Sequence, residues 1–321
     1  MNSIFKDNTF ESINRAYNSI FKPNRLSIGL VVPIENYLHT PVPTMNDHIE
    51  MIKLVEKLGF KAIWLRDIPF NVPSFGDVGQ MFDPFVYLGL LSGVTSKISL
   101  GVGSIILPLR HPAHVAKEAA SIDILSGGRL ILGVASGDRP EEYPAHNILF
   151  SNRGDTFREG FEYIKQVWET NPSFKNEFGT LYGNMDMLPK PSAKKVPMLI
   201  TGASQQNQQW LANNGDGWIT YPRNPILQGQ LIESWRTNAK KAGQMNKPVS
   251  QSLYIDLVED ENTKAQTIHL GYRLGTKQLK AHLKSLEEVG VNHVAINLRF
   301  NQSDIKTTLN RLAEEILPDF N

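Results

Sequence analysis

Short apolar runs alternate with longer segments of helical period along most of this chain, which is the pattern of parallel βα units. The runs are residues 26–32 (LSIGLVV), 62–66 (AIWLR), 98–107 (ISLGVGSIIL), 130–135 (LILGVA), 198–201 (MLIT), 217–220 (GWIT), 249–258 (VSQSLYIDLV) and 293–298 (HVAINL). Helical segments follow them at about 44–58, 84–94, 112 to the pair Gly127–Gly128, 152–169, 205–212, 225–242, 276–289 and 303–317. Eight such units in 321 residues predict an α/β fold of the (β/α)8 TIM-barrel type, with a doubly wound open sheet as the architectural alternative.

Several helix ends carry their own chemistry. Thr44 and Asp47 have capping-box spacing, Asp83 precedes Pro84, and Pro112 suits a first helical position. Gly59, Gly127, Gly243, Gly290 and Asn213 suit the closing ends. The length beyond a minimal barrel falls in two places. Residues 1–25 read as an N-terminal arm with a weak helical stripe of Phe5, Phe10, Ile13, Tyr17 and Ile20. Residues 171–197, rich in Pro, Gly, Asn and Lys, read as an insertion between strands four and five. Residues 26–321 are then a single barrel domain.

Thirty-three basic and 32 acidic side chains leave a net charge of +1, so no global field draws in nucleic acid or an anionic membrane. The absence of cysteine removes disulfides, thiolate metal ligands and a cysteine nucleophile. No apolar stretch is long enough to span a bilayer, and the first residues lack the apolar block of a secretory signal. These features predict a soluble cytoplasmic protein whose partners are set by a site.

In a barrel that site lies just past the C-terminal ends of the strands: residues 33–37, Asp67, 103–108, 135–138, 201–204, Tyr221 and 297–299. Gly101-Val-Gly103 lacks the third glycine of a dinucleotide fingerprint, since Ile106 stands there. Ser136 sits one place too late for a nucleophile elbow. His111 and His114 have no third ligand nearby, so they read as packing or capping residues at a helix start, and no metal site is expected. Arg110 and Arg129 suit either a phosphate grip or structural ion pairs. Thr201-Gly202-Ala203-Ser204 differs in kind: a strand runs into small residues and on into a helix near Gln205, an arrangement that binds anions through backbone N–H groups. Ser204 adds a hydroxyl and Asn207 an amide.

The ordered set GVGSIILPLRHPAHVAKEAASIDILSGGRLILGVASGD, SNRGDTFREGFEYI and PMLITGASQQNQQWLANNGDGWIT resembles the bacterial luciferase-like family of flavin-dependent oxidoreductases, over nearly the whole chain. The opening KPNRLSIGLVVPIENY is similar to a bacterial subgroup of that family with no assigned substrate. The resemblance implies a barrel that binds FMN, usually reduced, or in some branches a deazaflavin. It implies that Arg153 grips the flavin phosphate, that Ala203, Ser204 and Asn207 form the phosphate turn with Gly202, and that Gly103–Ser104 is a cis peptide beneath the flavin ring. Ser136 matches a second phosphate-binding arginine of luciferase, a charge that Arg110 is a candidate to replace. Ala135 and Ile68 stand where luciferase has its reactive cysteine and catalytic histidine, so light emission is not the expected activity.

What the resemblance implies is a two-component monooxygenase that uses reduced FMN from a separate reductase, together with O2, on a small organic substrate, and that assembles as a homodimer or larger. His39, Asp67, Asp138 and Tyr143 are the polar candidates near the mouth, and residues 36–43 or 138–150 the candidate lids. The alternatives are a deazaflavin- or FMN-dependent reductase or dehydrogenase, a catalytically silent flavin-binding protein, and a barrel hydrolase or aldolase without flavin.

Overall fold

The computed structural model describes residues 9–321, and Phe5 of the arm stripe lies outside the described residues. Eight parallel strands form the barrel: β1 (Ser27–Val31), β2 (Ala62–Leu65), β3 (Ser99–Ile106), β4 (Leu130–Ala135), β5 (Met198–Thr201), β6 (Gly217–Thr220), β7 (Val249–Leu257) and β8 (His293–Asn297). Consecutive strands pair throughout, and Ser27↔His293 through Leu30↔Ile296 close β8 onto β1. The pairing of β6 with β7 at Trp218↔Val249 removes the edge an open sheet would have, so the barrel is correct and the doubly wound sheet is not.

The outer helices are α1 (His48–Leu58), α2 (Pro84–Val94), α3 (Pro112–Ser126), α4 (Arg153–Val167), α5 (Gln208–Asn214), α6 (Pro225–Lys241), α7 (Thr276–Glu288) and α8 (Ile305–Glu315). Where the capping residue is free to act, the expected end is the observed one. Asp83 accepts the N–H groups of Phe85 and Val86 at the start of α2, and Gly127 closes α3 in the left-handed region at φ 69°. The capping box at Thr44 and Asp47 does not form. The Glu35 carboxylate takes the Thr44 and Met45 N–H groups at 2.6 and 2.9 Å, Asp47 is itself left-handed at φ 53°, and α1 starts at His48. Asn213 lies inside α5 rather than at its close. The 171–197 segment carries an antiparallel hairpin, Ser173–Asn176 with Gly179–Tyr182, which packs Phe174 edge-on against Tyr163 of α4.

The strands are buried on both faces, which is why they read as apolar runs without alternation. Their outward side chains pack under the helices. The inward ones, Val31, Trp64, Ile131, Leu199 and Ala295, meet Tyr17, Ile20 and Phe21 from the arm, whose helix Arg15–Ile20 plugs the N-terminal end of the barrel. The plug is tied down by polar contacts: Asn14 Nδ2 donates to Leu130 O at 2.8 Å and the Tyr17 hydroxyl to Asp216 O at 2.8 Å.

Above the plug, Trp64 Nε1 donates to His293 Nε2 at 2.8 Å. That leaves the hydrogen of the neutral ring on Nδ1, which donates to Ser27 Oγ at 2.7 Å, and the Ser27 hydroxyl passes its own hydrogen to Ile20 O at 2.9 Å. Two glycines make room for this chain. A Cβ at Gly101 would sit 2.5 Å from the Trp64 ring, and one at Gly29 would sit 2.9 Å from His293 Nε2.

Candidate functional site

At the C-terminal end of the strands the barrel opens into a cavity of about 470 Å3, a size suited to a small-molecule or cofactor site. Trp64 and Ile219 of the interior face contribute to its wall, together with Gly103 and Ser104 of β3, residues 135–138 after β4 and residues 201–205 after β5. The Gly103–Ser104 peptide is cis, at the point where the β3–β4 ladder shifts register between Val102 and Ile105. The Ser104 and Thr201 hydroxyls hydrogen-bond to each other across this wall.

Of the residues expected to hold a cofactor, Gly103, Ser104, Ser136, Gly202, Ala203 and Ser204 line the cavity; Arg153 and Asn207 do not. The reason lies in the turn after β5. Helix α5 begins at Gln208, later than the expected Gln205, and Asn207 is its cap, its Oδ1 accepting the Trp210 N–H at 2.8 Å. The anion-binding character of the turn therefore comes from its own backbone. Gly202, Ser204 and Gln205 are all left-handed, at φ 57°, 43° and 60°, and the N–H groups of Ala203, Ser204 and Gln205 bond to no backbone carbonyl. Such a run of free amides is an anion-binding concavity. The Ser204 hydroxyl is already spent on Thr201 O at 2.8 Å, so its hydrogen orders the turn.

The start of α4 is stitched to the same turn. Gln206 Nε2 donates to Gly154 O at 2.7 Å, and a Cβ on Gly154 would lie 2.8 Å from Gln205 Cβ. This brings Arg153 beside the turn, its guanidinium 3.7 Å over the Phe150 ring and its buried Nε without a partner.

The polar candidates separate clearly. Asp67 and Asp138 line the cavity, whereas His39 is exposed elsewhere and Tyr143 is fully buried with its hydroxyl donated to the Ser136 carbonyl. Arg110 does not replace a phosphate-binding charge. Its guanidinium clasps Asp67 at 2.9 and 2.7 Å and reaches Asp83 at 2.6 Å, because the end of β2 brings a buried carboxylate to it. Arg129 is likewise a staple, 2% exposed and donating to carbonyls of Ser92, Thr95, Ile98 and Ser126. His111 caps α3 by accepting the Ala113 N–H.

Two groups of wall residues went unassigned in the sequence. Asp77, on the loop after β2, accepts Arg66 at 2.8 Å and Arg299 at 3.1 Å, and Tyr37 donates to it at 3.1 Å. Burial pushes the Asp77 carboxyl up, but the Arg66 and Arg299 guanidiniums and the Gly79 N–H outweigh it and hold it below the usual range. The second group is Glu142 and Arg139 after β4, whose nearest charged atoms stop 4.0 Å apart. Arg299 stood in the strand-end set, and Glu142 inside a candidate lid; nothing in the local sequence marks either as buried at a cavity.

A phosphate-bearing ring cofactor fits these residues. The cavity is large enough, the turn after β5 offers amides that bond to no backbone carbonyl, and Arg153, whose neighbour Gly154 is bonded to that turn, has a buried Nε–H with no acceptor among the described residues. Ala135 and Ile68 both line the cavity.

The family model for luciferase-like monooxygenases matches residues 26–317. An uncharacterized protein of Mycobacterium tuberculosis is 32% identical over 188 residues, which are 53% of this chain and 66% of that one. The alkanal monooxygenase beta chain of Photorhabdus luminescens is 29% identical over 52% of this chain and 50% of its own length. The chain thus spans less than two thirds of the length of these curated relatives. A solved F420-dependent secondary alcohol dehydrogenase in complex with an F420–acetone adduct shares the fold with a TM-score of 0.76 at 18% identity, over 92% of this chain and 99% of the other. With a match that runs from the first barrel strand to the last helix, the chain belongs to the luciferase-like monooxygenase family, a family of flavin- and F420-dependent oxidoreductases.

Proposed function

We propose that the cavity holds reduced FMN and that the chain is the oxygenating component of a two-component monooxygenase acting on a small organic substrate. The observation that carries this reading is the left-handed turn at Gly202–Gln205, whose Ala203, Ser204 and Gln205 amides bond to no backbone carbonyl among the described residues, opening onto a slot walled by Gly103, Ser104 and Trp64. Gly202, Ala203, Ser204 and Arg153 would hold the phosphate, with Ser136 in the place of a second phosphate contact and Asn207 fixing the start of the next helix, and Gly103 and Ser104 would line the place of the ring. The bound cofactor supplies the redox chemistry. The chain's own part is to bind, orient and exclude water: Arg139 stacks 4.6 Å over Phe75 at the rim, and residues 138–150 serve as the lid. Asp67, neutralised by Arg110 and accepting the Ile106 N–H at 3.1 Å, orders the ends of β2 and β3.

A deazaflavin-dependent dehydrogenase is the second reading, favoured by the F420-dependent alcohol dehydrogenase among the structural neighbours. A separate reductase would supply reduced FMN, and a second copy of the chain would cover the outer face of α2 and α3, where Val86, Leu90 and Leu125 are exposed. Among the described residues no helix is long and apolar enough to cross a membrane. Anaerobic titration with reduced FMN, followed by admission of air with candidate substrates, tests the reading. Saturable binding with substrate-dependent oxygen uptake supports it. Binding of the deazaflavin with no oxygen uptake moves the assignment to the dehydrogenase, FMN binding without turnover leaves a flavin-binding protein, and indifference to both cofactors overturns it.

A further inference from the structure

We propose that Glu142 is the proton-exchanging residue of this cavity, the group that gives or takes a proton when a bound substrate is oxidised or reduced. The assignment rests on the oxidoreductase reading above and deepens it. Glu142 is only 3% exposed, yet it lines the cavity. Its Oε1 is buried and has no hydrogen-bond partner among the described residues, and the nearest cationic atom, Arg139 Nη1 at 4.0 Å, has none there either. A carboxyl oxygen without a donor, beside an unmet guanidinium hydrogen, is where a polar atom of a ligand can complete both.

The other acidic groups at the mouth cannot do this. Both oxygens of Asp67 are held by Arg110, and Asp77 is shared by two arginines and Tyr37. Asp138 is exposed to water at the rim. Tyr143, adjacent in the chain, donates its hydroxyl to Ser136 O, and burial pushes that phenol up to about 12.

The groups that act most strongly on Glu142 are its own burial, three charged side chains and one backbone amide. Burial pushes its carboxyl up to about 7, Asp67 and Asp138 push in the same direction, and Arg139 and the Phe70 N–H oppose them. A carboxyl that is half protonated near neutral pH suits either direction of transfer. The step is simple in its balance. The O–H bond on Oε1 breaks as one forms on the substrate heteroatom, or the reverse, and Glu142 carries no electrons.

The test needs no substrate. In protein labelled with [13C]glutamate, one side-chain carboxyl should titrate with a midpoint near 7 and vanish in Glu142→Gln; Glu142→Asp, which moves the signal out of the glutamate set, supplies a second variant if the first unfolds. Calorimetric titration with FMN at pH 7, in two buffers of different ionisation enthalpy, should show proton uptake per FMN greater in the wild type than in Glu142→Gln by a fraction of a proton, the ionisation of the FMN phosphate being common to both. Absence of a carboxyl titrating between pH 6 and 8, or equal proton uptake in wild type and variant, overturns the assignment. Failure of the wild type to bind FMN or the deazaflavin instead overturns the reading on which it rests, and the carboxyl titration tells the two failures apart.

Discussion

Between the cavity floor and the N-terminal plug of the barrel, Trp64, His293, Ser27 and Ile20 hand hydrogen bonds from one to the next, and the fully buried imidazole is satisfied at both nitrogens. At the open end of the barrel, Arg66 Nε, Arg139 Nη1, Glu142 Oε1, Gln251 Nε2 and Arg299 Nε are buried on the cavity wall with no partner among the described residues. Both ends bury polar groups that would favour water. A closed network is what a core requires, whereas an open one is tolerated where a ligand completes it. The same strands thus serve stability at one end and recognition at the other.

The contrast can be broken most forcefully where a mouth residue behaves like a core residue. Arg110→Met leaves the buried Asp67 carboxylate without its cation and should cost about 3–5 kcal/mol in urea unfolding. A phosphate-gripping arginine would instead leave stability nearly unchanged and weaken FMN binding. Gly101→Ala, whose new Cβ meets the Trp64 ring, should cost about 1–3 kcal/mol by the same measurement.

Titration separates the two ends by sign. Burial lowers the His293 pKa to about 3, so its contribution is present above the usual histidine range and is lost as pH falls from about 6.5 toward 3. His293→Leu should flatten that acid limb, by at most about 1.4 kcal/mol per pH unit, while leaving the Trp64 N–H orphaned at neutral pH. Glu142 acts in the opposite direction. Its raised pKa means stability present at low pH and lost as pH rises to about 7, so Glu142→Gln should gain on the wild type across that window. The smallest effect is expected for Ser204→Ala, which removes one hydrogen bond to Thr201 O and should cost about 1 kcal/mol with a few-fold weaker FMN binding.

The strands were legible because parallel strands buried on both faces are continuous apolar runs, and α2 and α3 because their caps are local dipeptides, Asp83-Pro84 and Gly127-Gly128. The start of α1 was not, because Glu35, well outside the helix, outcompetes the local cap. Arg110 was ambiguous for the same reason: a lone arginine does not announce which carboxylate folding brings to it. Small residues at Gly103, Ser104 and Gly202–Ser204 could be read as cavity lining, since backbone must be exposed there. Burial of Glu142 depends on loops after β2 and β4 folding over it, which no single segment encodes.

The most direct test of the mouth as a cofactor site is equilibrium titration of the wild type and of Ala203→Trp, a substitution at an exposed position of the cavity wall, with FMN and with the deazaflavin. Saturable one-to-one binding of one cofactor, lost in Ala203→Trp at an unchanged melting temperature, is the predicted result. Equal binding by the two proteins, or no binding of either cofactor by the wild type, would contradict it.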